Sequence, residues 1–377
     1  MQEYYMKKYG KFFYFYIVLL ILLLTVLSSC SKQTSNPPEN SFYPGREKSG
    51  PLIGFSIDTL AIERWLRDLD VFMNTAKELG AQVIVQNSGN SIEEQNRQIS
   101  YLIDRNVDVI VIVAKKEDTL SASIKRARTR GIPVIAYDRL ITNADINMFM
   151  TVDSEKVGEY MTKGLLAVKP YGNWFCILGP LDDHNTAFIQ EGVRKILTGN
   201  KSVRITFTSY TDGWNYDLSY TAMVTKLKEG SIPDAVICGN DAIANSVIRA
   251  VSETNTRKHI AVSGQDADIA GCQNIVQGKQ TMTVYKPVTR LAQLAAEYAC
   301  RLAKGESVQN IIRTHTTINN GFADIPVVWL DPIPVTVKNI DEVVINSGFH
   351  TRGEVYKNIP GLQTDLEISD NKKLQTR

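Results

Sequence analysis

The chain has 377 residues, with 42 Lys+Arg against 40 Asp+Glu for a formal net charge of +2, 44% apolar residues, and only 4 His, 5 Cys and 4 Trp. That length suggests two domains, each large enough for its own core. The charge balance argues against a nucleic-acid binder, which would carry a marked basic excess. Five cysteines with no C-x-x-C pair are too few for a disulfide scaffold and lack zinc spacing.

Lys7, Lys8 and Lys11 form a basic start, Phe12 to Leu27 is apolar apart from Thr25, and Leu27-Ser28-Ser29-Cys30 follows. This is the layout of a secretory signal at 1–29. Its last four residues resemble the lipobox of bacterial lipoproteins, which implies cleavage before Cys30 and a lipid on its thiol. The alternative is an uncleaved membrane anchor, although the apolar run falls short of the roughly 20 residues of a full span. Residues 30–50 are rich in Ser, Asn, Pro and Gly and read as a tether that cannot bury enough surface to fold. Export places the body outside the cytoplasm, in the periplasm, held at a membrane by lipid. Without residues 1–29, which hold three Lys and one Glu, the mature chain has 39 basic and 39 acidic residues.

From residue 52, β-rich runs at 52–57, 81–86, 107–113 and 133–137 alternate with amphipathic stretches. In 62–79, Ile62, Leu66, Leu69, Phe72/Met73, Ala76 and Leu79 recur at helical spacing before Gly80. Helices are also predicted at 91–105 and 117–130. The alternation restarts after Val152, with strands at 174–178, 204–209, 235–239 and 260–264 and helices near 185–197, 217–229, 241–253 and 267–277. The pattern predicts an α/β protein of two doubly wound parallel-sheet lobes. A late helix at 287–304 and β-branched runs at 318–345 suggest that the chain crosses between lobes more than once. The predicted division is 51–151 plus 286–317 in the first lobe and 152–285 plus 318–360 in the second, with a tail at 361–377. Cys176, Cys238, Cys272 and Cys300 fall in apolar contexts and read as buried free thiols. A disulfide between Cys176 and Cys238, on neighbouring strands, is not favoured.

Ligands of open parallel sheets bind beyond the carboxyl ends of the strands. The residues there are Asp58 with Arg64-Trp65 opening the next helix, Asp138-Arg139, Asp183-His184-Asn185, Asp212-Gly213-Trp214, Asn240-Asp241 and Gln265-Asp266. Planar carboxylates, amides and guanidinium groups bridge vicinal hydroxyls in pairs, and Trp65 and Trp214 offer aromatic rings to the C–H faces of a sugar. Each such residue taken singly is an ordinary cap or turn residue, and Asp241 in particular reads as a helix cap. The joint occurrence of two Trp and two Arg tilts the reading towards a binding cleft. Asp266 and Lys286 read as an ion pair holding a hydroxyl rather than as an acid and base. No Walker, dinucleotide, nucleophile-elbow or H-E-x-x-H motif occurs, the four His lack metal spacing, and no cofactor or catalytic residue is expected.

Gly54-Phe-Ser-Ile-Asp58, Glu63-Arg-Trp65, Ala136-Tyr-Asp-Arg139, Asp212-Gly-Trp214, Gly239-Asn-Asp241, Ser263-Gly-Gln-Asp-Ala-Asp268 and Thr281-Met-Thr-Val-Tyr-Lys-Pro287 together resemble the periplasmic D-xylose-binding family, within the ribose/galactose-binding superfamily. The likeness runs over about 50–355. It implies a type I periplasmic binding fold with three hinge crossings, a monosaccharide ligand (xylose or a related aldose) and an ABC importer as partner. It also implies sugar contacts from Arg64, Trp65, Asp138 and Arg139 in one lobe, from Asn185, Trp214, Asn240 and Asp266 in the other, and from Lys286 at a crossing. His184 departs from the family's Asp-Asn-Asn and places an imidazole beside the mouth. The alternative role is a sensory subunit that presents sugar to a transmembrane kinase or chemoreceptor. A lac-type repressor would need a helix-turn-helix where the export signal stands, and a sugar hydrolase would need a paired acid and base.

Overall fold

The computed structural model describes residues 50–312 and 316–359. The predicted export signal, Cys30, the tether up to residue 49, His315 and the tail from 360 lie outside the described residues.

The first lobe is built on a seven-stranded sheet. Its strands are β1 (Leu52–Ile57), β2 (Gln82–Asn87), β3 (Val109–Ile112), β4 (Val134–Tyr137), β5 (Met148–Val152), β11 (Thr317–Asn319) and β12 (Asp324–Leu330), in the order β11-β12-β5-β4-β3-β1-β2. All neighbours are parallel except β11 with β12. Alternate residues of β1 serve opposite faces. Ile53, Phe55 and Ile57 pack with α1 (Glu63–Glu78) and the late helix α9 (Val288–Ala303), and Leu52 packs with α2 (Ile92–Asp104) and α3 (Ser121–Thr129).

Helix α1 is rotated from its predicted phase. Its buried stripe is Trp65, Leu69, Phe72 and Ala76, and Leu66, Met73 and Leu79 are exposed. The reason is that Arg64 and Asp68 are buried beside Trp65, so a polar cluster shares the inward face and displaces apolar residues to solvent. Burying each of Trp65, Leu69 and Phe72 contributes about 1.5–3 kcal/mol, enough to fix the rotation.

The second lobe has a four-stranded parallel sheet, ordered β7 (Val203–Tyr210), β6 (Gly172–Leu178), β8 (Ala235–Cys238), β9 (Ala261–Ser263). Helices α4 (Ser154–Leu166) and α5 (His184–Leu197) cover one face, and α6 (Tyr216–Lys228) and α7 (Asp241–Glu253) the other. Two glycines let α4 and α5 touch. A Cβ on Gly158 would lie 2.1 Å from the Ile189 carbonyl oxygen, and one on Gly192 would lie 2.0 Å from that of Glu155. The register sets Cys176 opposite Ile237 and Ile177 opposite Cys238. The two cysteines therefore point to opposite faces of the sheet. All four cysteines of the body are buried and free.

Strand β10 (Thr283–Tyr285) pairs antiparallel with β13 (Ile333–Val335). Around this pair Tyr285, Val335, Val344 and Phe349 form a separate cluster with α8 (Ile269–Val276) and the short helix Arg352–Val355. The chain passes between the lobes near residues 153, 286 and 331. The assignment of 318–330 to the second lobe is corrected by β12, which joins β5 in the first sheet and packs Ile325 and Val327 in the core with Phe149. The break between lobes comes at Asp331-Pro332, after that strand.

Candidate functional site

The strand ends of the two lobes meet at one place. After β4 the backbone turns through Asp138 with φ 63°, and after β9 through Asp266 with φ 91°. Both lie in the region that L-residues avoid, at a cost of about 1–3 kcal/mol each. Backbone ties hold the turns: Asp138 N–H donates to Met150 O (2.7 Å) and Asp266 N–H to Val284 O (2.9 Å). The two carboxylates are thereby set into the space between the lobes.

Three cations stand among them. Arg64 reaches Asp138 at 2.9 Å and Asp68 at 3.0 Å, and it lies 3.8 Å from Asp266 of the opposite lobe. Arg139 donates to Asp58 (2.5 Å) and to the Ala114 carbonyl (3.0 Å), and its Nε reaches Asp183 of the opposite lobe at 2.8 Å. Lys286 sits on Asp266 at 2.7 Å, the ion pair expected from the sequence. The guanidinium carbons of Arg64 and Arg139 lie 4.3 and 5.7 Å from the Trp65 ring centroid. Trp65 is therefore a buried floor that sets both guanidinium groups, more than an open stacking face. Trp214 is half-buried, and its indole N–H donates to Asp183 (3.2 Å).

Burial alone would raise the Asp138 carboxyl, but the charges of Arg64, Lys286 and Arg139 outweigh it and hold the group below the usual carboxylate range. Asp58 and Asp68 remain raised by burial, because one guanidinium partner each offsets only part of the desolvation. The site thus carries compensated charge, which suits a neutral ligand rich in hydroxyls.

All nine residues singled out from the sequence (Arg64, Trp65, Asp138, Arg139, Asn185, Trp214, Asn240, Asp266 and Lys286) line a single cavity, together with Ile62, Asp183 and Gln265. The cavity measures about 20 Å³, scarcely more than the 10–15 Å³ or so that one water needs on the same scale. Direct bonds across the cleft explain the tightness: Asn185 Nδ2 donates to Asp138 O and Oδ2 at 3.1 and 3.2 Å, beside Arg139–Asp183. Arg64 Nε, Trp65 Nε1 and Gln265 Oε1 are buried with no hydrogen-bond partner in the protein. Each such group costs about 1–3 kcal/mol until something pairs with it.

Asp241 is not the cap that its position suggests. Asn240 caps α7, its Oδ1 accepting from Ile243 N–H at 2.9 Å. Asp241 is a buried anchor behind the cleft that accepts from Gln280 (2.7 Å), Thr283 (2.8 Å) and the Asp268 N–H (3.0 Å). Burial pushes its carboxyl up to about 8, against those hydrogen bonds. The supporting carboxylate that the sequence reading missed is Asp68, which also accepts from the Tyr137 hydroxyl at 2.9 Å. Its signal was available, since Asp68 stands one helical turn beyond Arg64. Among the described residues no group of three or more His, Cys, Asp or Glu is arranged to hold a metal ion.

Two sheets with strand ends facing each other, three crossings and a compensated polar cavity between them define a two-lobed receptor for a small polar solute. A family model described as periplasmic binding protein domain matches residues 53–307, and the chain belongs to that family. It is 41% identical to a D-xylose-binding periplasmic protein of Haemophilus influenzae, over 81% of this chain and 92% of that protein. A protein of the same name from Escherichia coli is 40% identical, over 80% of this chain and 92% of its own length. Among solved structures, an ABC transporter solute-binding protein from Clostridium phytofermentans with bound β-D-glucose superposes with a TM-score of 0.74 at 26% identity, covering 81% of this chain and 99% of that one.

Proposed function

We propose that this protein is an extracytoplasmic receptor that captures one monosaccharide, D-xylose or a closely related aldose, and hands it to an ABC importer. The observation that carries this reading is the cavity itself. Guanidinium, carboxylate, amide and ammonium groups from both lobes converge with two indole rings, and their charges offset one another. A sugar's hydroxyls both donate and accept, so they can replace the direct bonds across the cleft and pair with the partnerless Arg64 Nε and Gln265 Oε1. Binding then exchanges lobe-to-lobe contacts for lobe-to-sugar-to-lobe contacts, and the sugar favours the closed form by its differential affinity. The cleft serves binding rather than turnover, since each candidate acid or base is committed to an ion pair. In this reading Arg64, Asp138, Arg139, Asn185, Asn240, Asp266 and Lys286 hold hydroxyls, and Trp214 covers the ring.

The export signal and Leu27-Ser28-Ser29-Cys30 support attachment to a membrane by lipid on Cys30. Isothermal titration with xylose, glucose, ribose, arabinose and galactose tests the binding function. Saturable heat with xylose supports it, and no heat with any of the five overturns it. Cys30→Ser should move the protein from the membrane fraction to the soluble fraction, and retention in the membrane would refute the lipid anchor.

A further inference from the structure

At the mouth of the cleft the two lobes touch through charged side chains that line no part of the sugar cavity. His184 opens α5 in the second lobe, and its Nδ1 lies 2.6 Å from Glu117 Oε2 on the β3–α3 loop of the first. Beside it Lys115 of that same loop faces Asp182 at 3.9 Å. The imidazole packs edge-on against Phe188 (4.6 Å between centroids), and Phe188 in turn meets Trp329 of the first lobe at 6.1 Å. The remaining charges on the two loops are Lys116 and Asp118, which face each other at 3.7 Å, and Asp183, which is held by Arg139. Glu117 is therefore the acidic partner of His184, and the side chains of both are only about a third exposed (28% and 32%).

We propose that His184 and Glu117 form a proton-controlled latch that holds the lobes together, so that sugar is bound more tightly at mildly acidic than at mildly alkaline pH. This rests on the cleft's being the sugar site. Histidine is the side chain that changes charge between about pH 5 and 8. As imidazolium it attracts the carboxylate across the lobes, and as neutral imidazole it keeps only a hydrogen bond. Because closure and sugar binding are linked, whatever stabilises the closed form raises affinity in proportion to the closed fraction of the sugar-free protein. The Lys115–Asp182 contact is common to the wild type and to variants at His184 and Glu117, so it supplies a constant background. The ligand has no charge, so a pH or salt dependence of its affinity reports on the protein.

The test is D-xylose titration of the wild type, His184→Asn and Glu117→Gln between pH 5.5 and 8.0, paired with small-angle scattering of each protein without sugar. The wild type should lose about threefold in affinity across the range, the size expected of a partly exposed ion pair. Both variants should bind about threefold more weakly at pH 5.5 and show no slope. The sugar-free wild type should be more compact at pH 5.5 than at 8.0, and His184→Asn equally extended at both. A flat wild-type profile, or a slope that survives in His184→Asn, overturns the latch. Sugar binding without any pH-dependent compaction removes the latch and leaves the receptor standing. Compaction that disappears in His184→Asn, with no sugar bound, supports the latch and removes the receptor reading.

Discussion

Arg139 is the residue whose loss the structure makes most informative. Its guanidinium joins Asp58 and the Ala114 carbonyl in its own lobe to Asp183 in the other. Arg139→Met keeps the length of the stem and removes all three bonds. Breaking a buried pair from one side costs about 3–5 kcal/mol, because a carboxylate is left unpaired. Asp58 blunts that cost, since burial already raises its pKa and lets it take up a proton. A net loss of about 3 kcal/mol is expected, a fall of roughly 4 °C in Tm for a chain of this size. Sugar affinity should drop further, by tenfold or more, since a hydrogen bond from a charged donor is worth about 1.5–3 kcal/mol. Calorimetry and xylose titration read the two effects separately. Adding Asp58→Asn should restore part of the stability but none of the affinity. Unchanged Tm and affinity in Arg139→Met, or full recovery of affinity in the double variant, would refute this reasoning.

Trp214→Ala should weaken xylose binding about tenfold, through loss of ring contact and of the tie to Asp183, with little change in Tm because the indole is only half-buried. Gly192→Ala should cost about 1–3 kcal/mol in urea unfolding, since its Cβ would press on the Glu155 carbonyl of the facing helix rather than on a movable side chain. The Asp241 carboxyl, raised to about 8 by burial, holds its proton more tightly in the folded than in the unfolded chain. Its contribution is complete below the unfolded carboxylate range near 3.9 and is lost as pH rises through about 8, with a slope of at most about 1.4 kcal/mol per pH unit. Asp268, also raised by burial and by neighbouring carboxylates, acts in the same direction. Asp241→Asn should flatten the fall in stability between pH 5 and 8 measured by urea unfolding, and an unaltered slope would show that Asp241 is charged throughout.

The alternation of β-rich runs with helical spacing made the two lobes readable from sequence, because fully buried parallel strands such as LIGFSI and AVIC are short apolar runs between amphipathic helices. Strand β5 escaped that rule. It follows β4 through the stretch 138–147 with no intervening helix, so the expected helix never marks it. Missing β5 also hid the place of β12, whose partner it is. Most of the cleft lining was legible because residues such as Asp138, Asn185 and Asp266 follow strand ends, where the topology of a parallel sheet puts ligands, and the family resemblance added Lys286. The groups that hold them were less so. Asp58 and Asp183 looked like turn residues, and only the folded chain brings both to Arg139. The cap fell to Asn240 rather than Asp241 because either side chain can cap a helix, and Asp241 is drawn away by Gln280 and Thr283, about forty residues further along the chain.

A crystal grown in an equimolar mixture of xylose, glucose, ribose, arabinose and galactose tests most directly whether the cleft selects a neutral aldose. Xylose should be retained alone between the lobes, with its hydroxyls replacing the direct Asn185–Asp138 contact and reaching Arg64, Arg139, Asp266 and Lys286. A cleft that closes on itself with no sugar, or a sugar held elsewhere on the protein, would contradict it.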